Sequence, residues 1–77
     1  MARIKPRNVI YQRVQEMIWD SNKSLVKIAR EIGVSPAAVS SWQTMERTIS
    51  VEALARLCEY THTNPAWVLG LSERRGL

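Results

Sequence analysis

Residues 24–42 read SLVKIAREIGVSPAAVSSW, and this stretch decides the fold because two short helical patterns are joined there by a glycine. The first pattern repeats apolar residues at spacings of three and four, which places them on one face of a helix of about two turns. Ser24 stands just before it and is predicted to be its N-cap, because a serine hydroxyl accepts a free backbone N–H. The apolar positions are Leu25, Ile28, Ala29 and Ile32.

Gly33 ends this first pattern, and a second helix is predicted to begin almost at once. Glycine adopts positive φ without a Cβ clash, so Gly33 is predicted to cap the first helix. Ser35 is a typical N-cap residue, and Pro36 suits the first position of a helix. Val39 and Trp42 lie three residues apart on one face, which predicts that both point inward. Two short helices around a tight glycine turn form a helix-turn-helix.

The segment before this motif predicts a basic arm followed by one longer helix. Residues 1–7 alternate cations with apolar residues, and Pro6 disfavours a helical conformation at Lys5, so we expect an extended or disordered arm. Asn8 is a plausible N-cap for a helix that ends near Asp20. Its predicted apolar face carries Ile10, Val14, Met17 and Ile18.

The segment directly after the motif predicts a loop and a fourth helix. Residues 43–48 show no helical periodicity, which is typical of a loop. Ser50 is predicted to cap a helix that runs to about Tyr60. Its expected apolar face consists of Val51, Leu54, Ala55, Leu57 and Cys58.

The end of the chain predicts a short fifth helix and a frayed tail. Asn64 is a candidate N-cap and Pro65 a candidate first residue, while Gly70 closes the helix. Residues 71–77 are predicted to fray. The predicted fold class is therefore all-α, a compact five-helix bundle in which residues 8–70 form one domain with a helix-turn-helix.

Length and composition favour one small domain with an anionic partner. The 77 residues suffice for a single modest core. The 11 Lys and Arg residues outnumber the 7 Asp and Glu residues, and the resulting net charge of +4 suits a polyanion. No apolar run approaches the roughly 20 residues that cross a bilayer. We therefore expect a cytoplasmic protein without a membrane-spanning segment.

No residue pattern predicts catalysis, a metal or a cofactor. Cys58 and His62 are the only residues of their types, and a lone cysteine fits a reducing cytosol. We expect Cys58 in the core and His62 on the surface. Trp42 and Trp67 fall on buried stripes, whereas Trp19 lies off its stripe and covers either the core edge or a partner. We predict that the protein is not an enzyme and that it binds neither a cofactor nor a small-molecule substrate.

The residues of the helix-turn-helix also match a known family. Ala29, Gly33, Val39 and Trp42 stand in the register of the lambda-repressor-like (Cro and phage repressor, XRE-type) DNA-binding domains, which the segment resembles. The stretch VEALARLCEY resembles the fourth helix of that family, and NPAWVLG, with Trp67, resembles its fifth. The resemblance implies a five-helix fold and double-stranded DNA as the partner.

Three departures from the family pattern affect the expected contacts. The family often has glutamine at the start of the second helix, where this chain has Leu25. A family ion pair between the first helix and the segment after the recognition helix aligns with Ile18 and Gln43, so both charges are absent together. The usual glycine and proline of the loop align with Met45 and Ile49, which leaves the placement of these two side chains open.

The resemblance implies which residues meet DNA. An α-helix fits the major groove, and the N-terminal residues of the second motif helix approach the bases. The positions for base readout are Pro36, Ala37, Ala38 and Ser41. The positions for the DNA backbone are Ser24, Lys27, Ser35, Gln43, Thr44 and Arg47. Since the base-reading side chains are small, we expect little direct readout and a larger share of specificity from DNA shape.

Two further contacts are weaker expectations. The basic arm either touches phosphates or remains a solvated terminus, through Arg3, Lys5 and Arg7. A homodimer contact is expected at the fifth helix and the tail, through Pro65, Val68 and Leu71.

The predicted function is sequence-specific repression of transcription, in the cytoplasm of a bacterium or a phage-infected cell. The Cro-like family commonly binds pseudo-palindromic operators as homodimers, so we expect the same here. Two alternatives stay open. The first is a DNA-binding antitoxin of a toxin–antitoxin pair, and the second is a helical protein-interaction module without DNA binding, which Leu25 and the small recognition residues favour.

Overall fold

The structure, a computed structural model, describes residues 6–44 and 46–77, with side chains from Val9 onward. These residues form five helices: α1 Pro6–Asp20, α2 Leu25–Ile32, α3 Pro36–Gln43, α4 Val51–Thr61 and α5 Pro65–Val68. Within these ranges there is no strand, and one isolated bridge pairs Thr63 with Gly76. The all-α prediction with five helices is confirmed.

Helices α2 to α5 begin at the capping residues that the sequence predicts. In each case the side-chain oxygen accepts a backbone N–H two or three residues further on, at 3.1 to 3.2 Å. Such a bond satisfies one of the N–H groups that lack a partner inside the helix, and it is worth about 1 kcal/mol. The caps are Ser24, Ser35, Ser50 and Asn64.

Gly33 makes the turn of the helix-turn-helix. Its φ is +75°, in the left-handed region that only glycine adopts without cost. The following residue, Val34, donates its N–H to the carbonyl of Ala29 at 2.9 Å, which closes α2. Three residues after the glycine, α3 begins at Pro36. The predicted glycine cap is confirmed.

The core lies where α1 packs on α3 and α5 and where α2 packs on α3 and α4. Ala29 is 1% exposed, and its small side chain allows close packing within the motif. Tyr11, which the periodicity did not place in the core, is buried. Burying an aliphatic side chain of this core stabilises the fold by about 1.5 to 3 kcal/mol. The largest fully buried side chains are Met17, Ile28, Leu57, Val14, Val39 and Val68.

The first helix begins earlier than predicted. Asn8 was expected to cap it, but α1 starts at Pro6, so residues 6 and 7 belong to the helix and not to an arm. The physical reason is that proline fits the first position of a helix, where its missing N–H would have had no partner. The predicted arm therefore loses these two residues, and Arg3 and Lys5 lie outside the described residues.

The predicted apolar face of α4 is partly wrong. Val51 is 86% exposed and Ala55 is also exposed, whereas Ala53 is buried. Val51 is the first residue of the helix and projects beyond the core, while the inward stripe is set by the spacing from Leu54 to Leu57. The buried residues of α4 are Ala53, Leu54, Leu57 and Cys58.

The tail does not fray. Asn64 donates its backbone N–H to the carbonyl of Arg75 at 2.7 Å and its side-chain amide to the carbonyl of Arg74 at 2.9 Å. The Arg75 guanidinium forms an ion pair with Asp20 at 2.8 Å and lies 4.8 Å from the ring centre of Trp67. The prediction failed because these partners are distant in sequence, and periodicity reports only local neighbours.

Candidate nucleic-acid interface

The first turn of α3 is an exposed, small-residue surface. Ser35 caps it through a bond from Ala38 N–H to its hydroxyl oxygen at 3.2 Å. Pro36 and Ala37, both predicted to read bases, are exposed. Val39 at 0% exposure and Trp42 at 5% anchor the opposite face in the core, as predicted. Their burial fixes which side of α3 faces outward.

The other two predicted base-reading residues are less open. Ala38 is half-buried and packs against the core, so only part of its methyl group faces outward. Ser41 is half-buried, and its hydroxyl donates to the Ala38 carbonyl at 2.6 Å. Because its single proton is engaged there, the Ser41 hydroxyl can accept a hydrogen bond from a ligand but cannot donate one.

The C-terminal end of α3 is held by several polar contacts. The side-chain amide of Gln15 donates to the carbonyl of Gln43, the last residue of the helix. Thr44 donates its hydroxyl to the Ser40 carbonyl at 3.2 Å or to the Glu46 carboxylate at 3.0 Å. The Gln15 bond satisfies a carbonyl at the helix end, where carbonyls lack partners inside the helix, and the Thr44 bonds order the backbone that follows.

Exposed cations flank the helix-turn-helix on both sides. Arg47 follows α3, is exposed, and forms no ion pair within residues 9–44 and 46–77. Lys23 precedes α2 and is equally exposed and unpaired in the same ranges. Lys27, in α2, lies 3.6 Å from Glu31 and so has part of its charge compensated. Lys23 is not among the residues predicted to contact DNA, although its position beside the Ser24 cap was a usable signal.

The departures from the family pattern have structural outcomes here. Ile18 is 2% exposed and takes part in the core, which agrees with an apolar contact where the family has a charge. Ile49 is 8% exposed, so the loop before α4 turns this side chain inward. Met45 lies outside the described residues. The loss of the family ion pair therefore leaves no orphan charge at these positions.

The predicted dimer contact needs one correction. Val68 is 0% exposed, so the prediction for this residue is wrong: its side chain fills the core beneath α5. Pro65 is exposed, and Leu71 is 79% exposed. Near them, α4, α5 and the tail form a groove, here called the C-terminal groove. Its exposed apolar lining includes Val51, Pro65, Leu69 and Leu77.

The residues considered for chemistry other than DNA binding, Cys58 and His62, lie one helical turn apart at the end of α4 and differ in exposure. Cys58 is buried, and burial raises the pKa of its thiol. His62 is exposed and ends α4 with a φ of +55°. Within residues 9–44 and 46–77, no group of three His, Cys, Asp or Glu side chains is placed to hold a metal ion. In the part of the chain described, no helix combines the length and apolarity that crossing a membrane requires.

An all-α bundle that presents a capped, exposed recognition helix next to unpaired cations defines a helix-turn-helix DNA-binding domain. A family model described as helix-turn-helix matches residues 20–68, well over half of the chain. The chain belongs to this XRE-type, lambda-repressor-like family and is a DNA-binding transcription regulator. Comparisons with curated proteins and with solved structures gave no match.

Proposed function

We propose that this chain is a repressor that binds a pseudo-palindromic operator as a homodimer, with α3 in the major groove of each half-site. The observation that carries the proposal is the first turn of α3, where Pro36 and Ala37 are exposed beside the capped helix end. Side chains this small let the helix backbone approach the floor of the groove closely. We infer that the protein is located in the compartment that contains the cell's DNA.

Base readout by this helix is sparse. Pro36, Ala37 and the outward part of Ala38 offer only apolar contact, which suits thymine methyl groups. Ser41 accepts a hydrogen bond from a base amino group, since its own proton is engaged within the helix. Bidentate contacts worth about 1 to 3 kcal/mol each are absent from these four positions. Sequence-dependent DNA shape therefore supplies a substantial share of the specificity.

Phosphate contacts come from both sides of α3 and from the start of α2. Arg47 is the strongest candidate because it is exposed and keeps its full charge. Lys27 contributes less, since Glu31 lies 3.6 Å away. The remaining polar contacts are those of Ser24, Ser35, Gln43 and Thr44. Arg3 and Lys5, which precede α1 in the sequence, and Arg7, in the first turn of α1, are candidates for further phosphate contacts.

The C-terminal groove is the proposed dimer surface. Val68 is buried and is therefore removed from the predicted contact, and exposed neighbours take its place. Pro65 stays in the contact, joined by Val51 and by Leu77, which is 72% exposed, whereas the predicted Leu71 does not line this groove. Burial of such side chains in a second copy stabilises association by roughly 25 cal/mol per Å² of apolar surface. Leu77→Glu should therefore give a monomer in sedimentation, with Trp19→Gln, an exposed position elsewhere, as the control.

Selection of bound fragments from a random duplex library tests the central claim. We expect one two-fold symmetric sequence to be enriched, and its affinity to fall steeply as salt rises. Arg47→Ala should weaken all duplexes alike and lower the salt slope by about one. Arg74→Ala removes the same charge from the exposed tail and should leave the slope unchanged. A loss confined to one base position in the Arg47 variant would contradict its phosphate role.

Repression is tested separately from binding. Transcription in vitro from a promoter that carries the selected sequence should fall when the protein is added, because the bound dimer occludes the promoter. An increase in transcript would show that the regulator is an activator and would remove this part of the proposal.

A DNA-binding antitoxin is the second candidate, favoured by Trp19. This side chain is 79% exposed, and tryptophan is a residue type that often anchors protein partners. Native mass spectrometry of the protein from its own host would favour this role if a second small protein appeared in fixed ratio. A chain that shows no salt-dependent duplex binding would instead be an interaction module.

A further inference from the structure

Helix α1 contacts the C-terminal end of α3 and the segment that follows it. We propose that Gln15, together with Tyr11, is a positioning residue for DNA recognition: it fixes where α3 ends and thereby sets the specificity of binding. This inference rests on the proposed function, because it assigns a role within the same DNA-binding surface.

The first contact joins Gln15 to the last residue of α3. Gln15 is half-buried, and its side-chain amide donates to the main-chain carbonyl of Gln43. The final carbonyls of a helix have no partner inside the helix, so an external donor determines the direction in which the chain leaves it. The donor here comes from a residue 28 positions earlier in the sequence, on a long helix anchored in the core.

The second contact lies one turn earlier on the same face of α1. The Tyr11 hydroxyl and the Thr48 hydroxyl are 3.0 Å apart, and Tyr11 is 5% exposed. Positions four apart on a helix are neighbours on its surface, so Tyr11 and Gln15 act side by side. Together they hold the segment from Gln43 to Thr48 at both of its ends.

This segment carries the proposed phosphate contacts. Thr44 and Arg47 lie within it, and the N–H groups of Glu46 and Arg47 both point to the Ser41 carbonyl, at 3.0 and 3.4 Å. The backbone is therefore bonded to α3 on one side and to α1 on the other. A loss of the α1 contacts changes the position of Arg47 relative to Pro36 and Ala37, although none of these three residues is altered.

Gln15 is placed to act through Gln43 and not by touching DNA itself. It lines a groove whose other members are Gln12, Glu16, Trp19, Asp20, Gln43 and Thr44. This lining contains two carboxylates and no cation, so a phosphate is disfavoured there. The DNA-facing groups of the region are at its edge, on Gln43 and Thr44.

The effect should appear in specificity because the base contacts are so few. A non-specific complex depends on charge, which tolerates small displacements. A specific complex requires the phosphate contacts and the short side chains of α3 to fit simultaneously. A displaced Arg47 therefore weakens the specific complex while it leaves the non-specific complex nearly unchanged.

The experiment compares Gln15→Glu with Gln12→Glu. Both variants lose one amide and gain one negative charge on the same groove, but Gln12 is exposed and has no recorded hydrogen bond to α3 in the part of the chain described. Each variant is titrated with the duplex that the unchanged protein selects and with a scrambled duplex of equal length. Measurements are made well below the melting temperature, so that both proteins stay folded.

We expect Gln15→Glu to lower the ratio of specific to non-specific affinity about tenfold, as for a lost hydrogen bond that leaves a carbonyl unpaired. Gln12→Glu should weaken both duplexes by the same factor and keep the ratio. Hydrogen exchange should quicken in Gln15→Glu at Thr44, Glu46 and Arg47 but not at Leu57 in the core. A purely structural role would lower the melting temperature without a change in the ratio.

Equal ratios in the two variants would overturn the inference. If Gln15→Glu does not fold, Thr48→Val decides instead, because Thr48 is exposed and this change removes only the bond to Tyr11. An unchanged ratio in Thr48→Val would then refute the positioning role. If the protein without substitutions selects no duplex, the proposed function is wrong, and this inference fails with it.

Discussion

Replacement of Arg75 by alanine tests whether the last residues belong to the fold. The guanidinium of Arg75 lies 2.8 Å from the Asp20 carboxylate at the end of α1 and 4.8 Å from the ring centre of Trp67 in α5. On the same ring, Arg13 of α1 lies 4.7 Å from the centre. The tail thus contacts both α1 and α5, and Arg75 makes a shorter ion pair with α1 than Glu73, which lies 3.9 Å from Arg13.

The expected loss is modest because both contacts are partly solvated. The side chains of the ion pair are 41% and 53% exposed, so the pair contributes about 0.2 to 1 kcal/mol. The contact with Trp67 adds about 0.5 to 1 kcal/mol. Arg75→Ala should therefore destabilise the protein by about 1 kcal/mol, which lowers the melting temperature of a domain this small by roughly 4 to 8 °C.

Arg74→Ala is the matched control. Arg74 is exposed and carries the same charge, and its hydrogen bonds with the described residues involve only its main-chain N–H and carbonyl groups. Thermal unfolding followed by circular dichroism should show no shift for this variant. High salt should reduce, but not abolish, the deficit of Arg75→Ala, since it screens the ion pair more than the ring contact. Identical melting curves for the two variants would refute the reasoning and restore a frayed tail.

Three further changes test single features of the fold. Gly33→Ala should cost about 1 to 2 kcal/mol in thermal unfolding, because φ is +75° and the new Cβ would lie 3.1 Å from Arg56 Nη1; Gly76→Ala, with open space around it, should be neutral. Burial raises the pKa of the Cys58 thiol, so the folded chain stays protonated where the unfolded chain ionises, near 9.0. Stability in denaturant titrations should therefore fall as the pH rises above that value, and thiol reagents should react slowly at neutral pH. Trp19→Gln should change stability by less than about 0.5 kcal/mol and remove the fluorescence that acrylamide quenches most readily.

Local signals in the sequence were sufficient for the motif. Ser24, Ser35 and Gly33 act through bonds to residues no more than five positions away, so their side-chain chemistry specifies the helix ends without knowledge of the rest of the chain. The inward positions Val39 and Trp42 follow from the helical period alone. These features predict a helix-turn-helix before any tertiary contact is known.

The errors concern contacts that helical periodicity does not report. Tyr11 can be buried because its hydroxyl is hydrogen-bonded to the hydroxyl of Thr48, 37 residues away. The spacing of apolar residues does not predict such a partner for a tyrosine. Val68 was assigned to a surface because a short helix of four residues has too few positions to define its inward face. The candidate site was limited in the same way: position in the motif predicted that Ser41 faces DNA, but not that its proton is already bonded to Ala38.

The distribution of ion pairs shows which cations remain available for the proposed DNA contacts. Among the side chains described, Arg13, Lys27, Arg56 and Arg75 each have a carboxylate within 4.0 Å, and all but Lys27 lie outside α2 and α3. Lys23 and Arg47, which flank the motif, have none. Arg30 in α2 and Arg74 in the tail are also exposed and have no ion pair within this part of the chain, while Arg56 donates to the Ile32 carbonyl beside the turn of the motif. Under the proposed function, the unpaired cations beside the motif attract phosphate. Because the exposed residues of α3 are small and uncharged, the proposed positioning of α3 by α1 then contributes to specificity.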